Sequence, residues 1–111
     1  VLVCLGRSSR TLDCIVQAGL LAISVLGAED EAVARRFAEL EPEGRFHGVS
    51  FRTEATGAPI LESALAWVDC RLHAVHEAGD HAIVVAEVVS CGARDGDPLL
   101  FFRSTYHSGG P

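Results

Sequence analysis

Ala64-Leu65-Ala66-Trp67-Val68-Asp69-Cys70-Arg71-Leu72-His73-Ala74-Val75 repeats with a period of two. Ala66, Val68, Cys70, Leu72 and Ala74 fall on one face, and Trp67, Asp69, Arg71 and His73 on the other. Successive side chains of a strand point to opposite faces, so this stretch is a strand with one core face and one wetter face. Glu77-Ala78-Gly79-Asp80 makes the turn of a hairpin, and His81 to Cys91 returns as a second strand carrying Ile83, Val84, Val85, Val88 and Val89. Asp95-Gly96-Asp97-Pro98 turns the chain into Leu99–Phe102, and Ser108 to Pro111 reads as a loose tail.

Upstream, Val1-Leu2-Val3-Cys4-Leu5 reads as a core strand ended by Gly6. The polar run Arg7-Ser8-Ser9-Arg10-Thr11 leads into a short helix whose stripe is Leu12, Ile15, Val16 and Ala18. Thr11 is its expected N-cap, Asp13 suits its first turn, and Gly19 its C-terminal cap. Leu20 to Leu26 is a buried strand ended by Gly27. Asp30 is expected to cap a second helix that places Ala32, Val33, Arg36, Phe37 and Leu40 on one side. Glu31, Arg35 and Glu39 are spaced for solvated i, i+4 pairing, and Pro42 and Gly44 close the helix. Phe46 to Thr53 is expected to be extended, and Thr56-Gly57-Ala58-Pro59 to turn. Strands predominate over two short helices, and long consecutive antiparallel strands close into a barrel because closure removes exposed edges. The expected fold is mainly β: a small antiparallel barrel with helical excursions.

The 111 residues suffice for one domain, residues 1–111. Hydrophobic residues at 49% and charged residues at 22% exclude disorder as the main state. The longest uncharged apolar stretch, Cys14 to Ala28, is short for a membrane span and is interrupted by Gln17, Gly19 and Ser24. Fifteen acidic residues against nine basic ones give a net charge of -6, which repels a phosphate backbone and an anionic bilayer alike. Neither nucleic acid nor a membrane is an expected partner. Every basic residue is Arg, so Schiff-base or P-loop lysine chemistry is excluded. There is no Met, and the first residues lack a polar run-in, so the reading is of a processed or N-terminally truncated chain. Cys4, Cys14, Cys70 and Cys91 form no C-x-x-C pair and read as reduced core thiols of a cytoplasmic protein.

Two places could carry chemistry. In Arg7-Ser8-Ser9-Arg10-Thr11, guanidinium groups, hydroxyls and the open N–H groups of a helix start converge, which suits a phosphate; the competing reading is a solvated turn with an N-cap. In Gly79-Asp80-His81, an imidazole stands beside a carboxylate at a strand entrance, able to orient a ligand; the competing reading is an ordinary hairpin turn. His73, His76 and His81 do not make a metal site, because residues 73 and 76 of one strand point to opposite faces. Glu54, Glu62, Asp69 and Glu87 form no recognisable acid/base pair, so no catalytic side chain is assigned.

The ordered set of motifs resembles a family. C-L-x-R-S-S-R-T, A-I-S-V-L, A-x-x-F-A, R-F-x-G, T-G-x-P-x-L, W-V-D-C, G-D-H-x-I-x-x-A-x-V and D-P-L-L-F-F follow one another over residues 1 to 106. This order is similar to that of the flavin reductase-like, FMN-binding split-barrel family, and within it to the small NAD(P)H:flavin oxidoreductases that serve two-component monooxygenases. The resemblance implies an antiparallel split β-barrel with two short helices, assembled as a homodimer. It implies that Ser8, Ser9, Arg10 and Thr11 contact flavin phosphate and ribityl groups, and that Gly79, Asp80 and His81 match the motif associated with nicotinamide binding. FMN or FAD is then the cofactor, NADH or NADPH the co-substrate, and a flavin-dependent monooxygenase the partner. The implied reaction is hydride transfer from nicotinamide C4 to flavin N5, for which the protein needs no acid/base pair of its own. A non-catalytic flavin-binding or electron-transfer protein of the same fold is the alternative. Ala86 stands where the family often has Gly, and the family's Ser/Thr-rich segment that bonds the isoalloxazine ring does not precede Val1 here.

Overall fold

A computed structural model describes residues 1–39 and 42–110. Strand β1 (Leu2–Gly6) leads into helix α1 (Arg10–Ala18) and strand β2 (Leu20–Val25). A 3₁₀ turn (Ala28–Asp30) precedes helix α2 (Glu31–Glu39), and a second 3₁₀ turn spans Pro42–Gly44. Two short strands follow, β3 (Phe51–Arg52) and β4 (Ile60–Leu61), then the long hairpin of β5 (Ala66–Ala78) and β6 (His81–Ala93). A small hairpin of β7 (Leu99–Phe102) and β8 (Thr105–Ser108) ends the fold.

The main sheet is antiparallel in the order β1-β6-β5-β2, so the first two strands in sequence form its two edges. Helix α1 packs against both, and its Leu12 and Ile15 enter one core with Leu21, Cys70, Ala82, Val84 and Ala86. Burying such side chains contributes about 1.5–3 kcal/mol for each large aliphatic group. The inner row of β5 is the one that the alternation predicts, with Cys70 fully buried and Val68 and Leu72 against the core. Among the described residues no helix is long and apolar enough to cross a membrane.

The structure corrects several local expectations. The N-cap of α1 is Ser9, not Thr11: the chain turns back on itself at once, with the Ser9 N–H donating to the Gly6 carbonyl at 3.0 Å. The Ser9 hydroxyl then accepts the Leu12 N–H at 3.4 Å. Gly19 is the C-terminal cap as expected, at φ +72, where a side chain would be strained. Asp30 does not open α2 as its cap; the 3₁₀ turn intervenes, and its carboxylate reaches back to accept the Gly27 N–H at 3.4 Å. Glu31 and Arg35 pair at 3.0 Å as their spacing predicts, while Leu40 lies outside the described residues. Only Phe51–Arg52 of the expected extended segment is a strand. The preceding residues turn through Gly48 at φ +73, which lets Phe46 stack edge-on against Phe37 and Phe51 at 5.0 and 5.1 Å.

Asp69 departs from the wetter face assigned to it. It is 0% exposed, because the register shifts between Asp69 and Cys70 and the 53–59 loop folds over that face. Its carboxylate accepts both the Thr56 N–H, at 3.0 Å, and the Thr56 hydroxyl, which in turn accepts the Ala58 N–H at 3.1 Å. The T-G-x-P turn is thereby pinned to β5. Of the stretch from Ser108 expected to be a loose tail, Ser108 instead ends β8, which pairs with β7 through an Arg103-Ser104 turn at φ +52 and +62, and the Gly109 N–H donates to the Pro98 carbonyl at 2.7 Å. Pro111 lies outside the described residues. Three of the four cysteines are not core thiols either. Cys4, Cys14 and Cys91 are exposed and unpaired, Cys4 because it alternates to the face opposite Val3 and Leu5, which pack against the core, and Cys14 because it faces off the buried stripe of α1. Cys70 alone is buried, and that burial pushes its thiol up from its ordinary value.

Candidate functional site

The two segments singled out in sequence lie some seventy residues apart, and strand pairing joins them. In the β1–β6 ladder Leu5 faces Ala82 and Gly6 faces His81, so the last residue of β1 stands opposite the first residue after the hairpin turn. The next residue continues the contact: the Arg7 N–H donates to the Asp80 carbonyl at 3.1 Å. Ser8, Ser9, Arg10 and Thr11 follow directly at the N-terminus of α1, beside Gly79, Asp80 and His81.

At the helix start, Ser9 caps and the first N–H groups carry the positive end of the helix dipole. Ser8 is exposed in the turn before it. Arg10 reaches the loop after α2, where its guanidinium meets the Glu43 carboxylate at 2.5 Å. Its own backbone N–H, and after that the Arg10 charge, hold the Glu43 carboxyl below its ordinary range. Thr11 sits inside the helix, where its hydroxyl accepts from Arg45 at 3.2 Å. Arg45 and Glu43 escaped the sequence reading of the site; the available signal was that Arg45 opens the R-F-x-G motif.

At the hairpin, Gly79 adopts φ +66 and Gly79-Asp80 form a two-residue turn of the kind that fits the twist of long antiparallel strands. The Asp80 carboxylate lies 2.8 Å from His81 Nδ1. A carboxylate only accepts, so in this contact Nδ1 is the donor and Nε2 takes no part in it. Both side chains are exposed.

Beside Thr11 the molecule opens into two hollows of about 360 and 420 Å³. Ile15, Leu21, Phe37, Phe46 and Pro59 line both, and Val3 and Leu5 of β1 line the first. These volumes fall in the range of small-molecule sites, and the walls are apolar while the polar groups gather at the helix start. The pinned T-G-x-P turn supplies Pro59 to the wall, so Asp69 shapes the hollow from behind.

Residues 1–110 match the family described as flavin reductase like domain, and the chain belongs to it. It is 41% identical over 101 residues to a flavin reductase of Pseudomonas putida, covering 90% of this chain and 59% of that protein. It is 37% identical over 112 residues to FMN reductase (NADH) RutF of Ancylobacter novellus, covering 97% of this chain and 61% of that one. Among solved structures, nitrilotriacetate monooxygenase component B of Mycobacterium thermoresistibile superposes with a TM-score of 0.90 at 34% identity, over 96% of this chain and 61% of the other. The fold is therefore the split barrel of the flavin reductases, as the motif order implies. The chain spans about six-tenths of the length of these three proteins.

Proposed function

We propose that this chain is the nucleotide-binding part of an NAD(P)H:flavin oxidoreductase that supplies reduced flavin to a partner monooxygenase. The observation that supports the reading is the Gly6–His81 pairing, which brings the segment leading into the helix start and the Gly79-Asp80-His81 turn together. The groups present fit a flavin. The N-terminus of α1 with Ser8, Ser9 and Arg10 offers donors for a phosphate, Thr11 offers a hydroxyl toward a ribityl chain, and the apolar hollow beside it suits a planar ring. When bound, that ring supplies the chemistry by accepting hydride from a reduced nicotinamide. The side chains hold and orient: Arg10 binds the anion, and Asp80 fixes the His81 ring so that Nε2 faces the nicotinamide.

The reading extends to a homodimer and to the cytoplasm. Leu100, Phe101 and Phe102 of β7 are exposed, an apolar surface suited to a second copy, and four unpaired cysteines suit a reducing compartment. The experiment is titration of the full-length protein with FMN, followed by flavin fluorescence, and then NADH or NADPH oxidation with FMN present. Micromolar or tighter binding and flavin-dependent oxidation are expected. Absence of flavin binding overturns the proposal, and binding without oxidation favours an electron-transfer protein. Light scattering at micromolar concentration is expected to return twice the chain mass.

A further inference from the structure

Arg7 opens the basic run in sequence, yet its guanidinium is committed to the hairpin. Nη1 donates to the Gly79 carbonyl at 3.3 Å and Nη2 to Glu77 Oε1 at 3.2 Å, while the Arg7 N–H holds the Asp80 carbonyl at 3.1 Å. One residue thus grips two consecutive carbonyls of the Gly79-Asp80 turn and the carboxylate of the strand that enters it. The Asp80 side chain, carried on that gripped backbone, in turn holds the His81 ring at 2.8 Å. We propose that Arg7 is a positioning residue, a clasp that fixes the β5–β6 turn, and with it His81, against the N-terminus of α1.

The chemistry of the guanidinium explains why this position is Arg. A planar fork directs two donors at a fixed angle, one to a main-chain carbonyl and one to a carboxylate, whereas an ammonium is a single point charge that cannot span both in a set geometry. Both partners are exposed, Arg7 at 55% and Glu77 at 82%, so the clasp adds little to global stability. Its effect is on where the turn sits. What His81 touches rests on the proposed function; the clasp itself does not.

The test compares the full-length protein with Arg7→Met, which keeps the stem and loses both donors, and Arg7→Lys, which also keeps the charge. Both variants should retain the wild-type Tm, and FMN affinity should stay within about threefold of wild type, since Arg7 is not spent on the anion. Hydrogen exchange across residues 78–82 should rise about tenfold in both variants as the turn is released. The nicotinamide dissociation constant, from anaerobic stopped-flow reduction, should rise about fivefold in both, so that restoring charge alone gives no rescue. Unchanged exchange across the turn in Arg7→Met, or full recovery in Arg7→Lys, overturns the clasp. If exchange rises while the wild type binds neither FMN nor a nicotinamide, the clasp stands and the functional reading falls.

Discussion

Gly6 stands directly opposite His81 at the end of the β1–β6 ladder. From that register everything at the site follows, because the residues after Gly6 start α1 and the residues before His81 form the hairpin turn. An antiparallel pair fixes both neighbours at once, so neither segment needs a long loop to find the other. A slip of one residue would turn the inward faces of the strand outward as well, which ties the site's geometry to the burial of Ala82 and Val84.

Arg10 is the cation at the helix start that a flavin phosphate would use, and it already holds Glu43. Arg10→Ala in the full-length protein should therefore raise the FMN dissociation constant about ten- to hundredfold while leaving riboflavin nearly unaffected. Glu43→Gln, which removes the charge of this one partner, should tighten FMN binding by about two- to fivefold. Because the Glu43 carboxyl titrates below its ordinary range, it stays ionised down through mildly acid pH, and its competition for Arg10 should be constant from about pH 6 to 8. Fluorescence titration with both flavins checks each statement; equal losses for FMN and riboflavin in Arg10→Ala would remove the phosphate role.

Asp69 is fully buried and holds two donors of Thr56. Asp69→Ala leaves both donors unpaired and should destabilise the fold by about 2–4 kcal/mol, with Asp69→Asn, which keeps one acceptor oxygen, costing about half as much. Denaturant unfolding measures both. A loss under about 1 kcal/mol for the alanine variant would mean that the 53–59 loop is held by its buried Ala58 and by Ile60 of the adjoining β4, and not by this carboxylate.

How legible these features were depends on what set them. The β5–β6 hairpin was readable because alternation and a Gly-Asp turn are local signals, and α1 was readable from its stripe and Gly19. Asp69 was misread because a register shift after it and a distant loop over it are tertiary events that no period records. Strand β8 was missed because its turn uses Arg103 and Ser104 at positive φ, where Gly or Asn would have announced it. Strands β3 and β4 have two residues each, too few for a pattern. At the site, residue types marked the right two segments, but only strand pairing could show that they adjoin, and only the fold could bring Arg45 to Thr11.

Cys70 gives a prediction for alkaline pH. Burial raises its thiol above the ordinary value of 9.0, so the folded state keeps the proton longer than the unfolded chain does. Its contribution to stability is fully present below the unfolded value and is lost as pH rises through the folded one. As pH rises above about 9 the wild type should lose stability more steeply than Cys70→Ala, by at most about 1.4 kcal/mol per pH unit. At neutral pH an aromatic disulfide reagent should label Cys4, Cys14 and Cys91 quickly and Cys70 only on unfolding. Four fast thiols, or parallel stability curves, would count against the burial argument.

His81 is the group through which the hairpin would meet a nicotinamide. Its Nδ1 is held by Asp80, so the ring presents Nε2 in a set orientation, and hydride transfer itself moves no proton to the protein. His81→Ala should raise the dissociation constant for reduced nicotinamide about five- to tenfold and leave FMN affinity unchanged, because the groups proposed to hold the flavin phosphate lie at the start of α1. Asp80→Asn keeps the turn but exchanges the carboxylate for a weaker acceptor, so it should shift the nicotinamide constant in the same direction by a smaller factor. If His81 serves the turn alone, His81→Asn should preserve both the dissociation constant and the limiting rate, since Asn is at home at such positions. Anaerobic stopped-flow reduction of bound flavin at varied NADH separates the two: a raised dissociation constant in both His81 variants places the imidazole at the nicotinamide, and unaltered constants in His81→Ala return it to the turn.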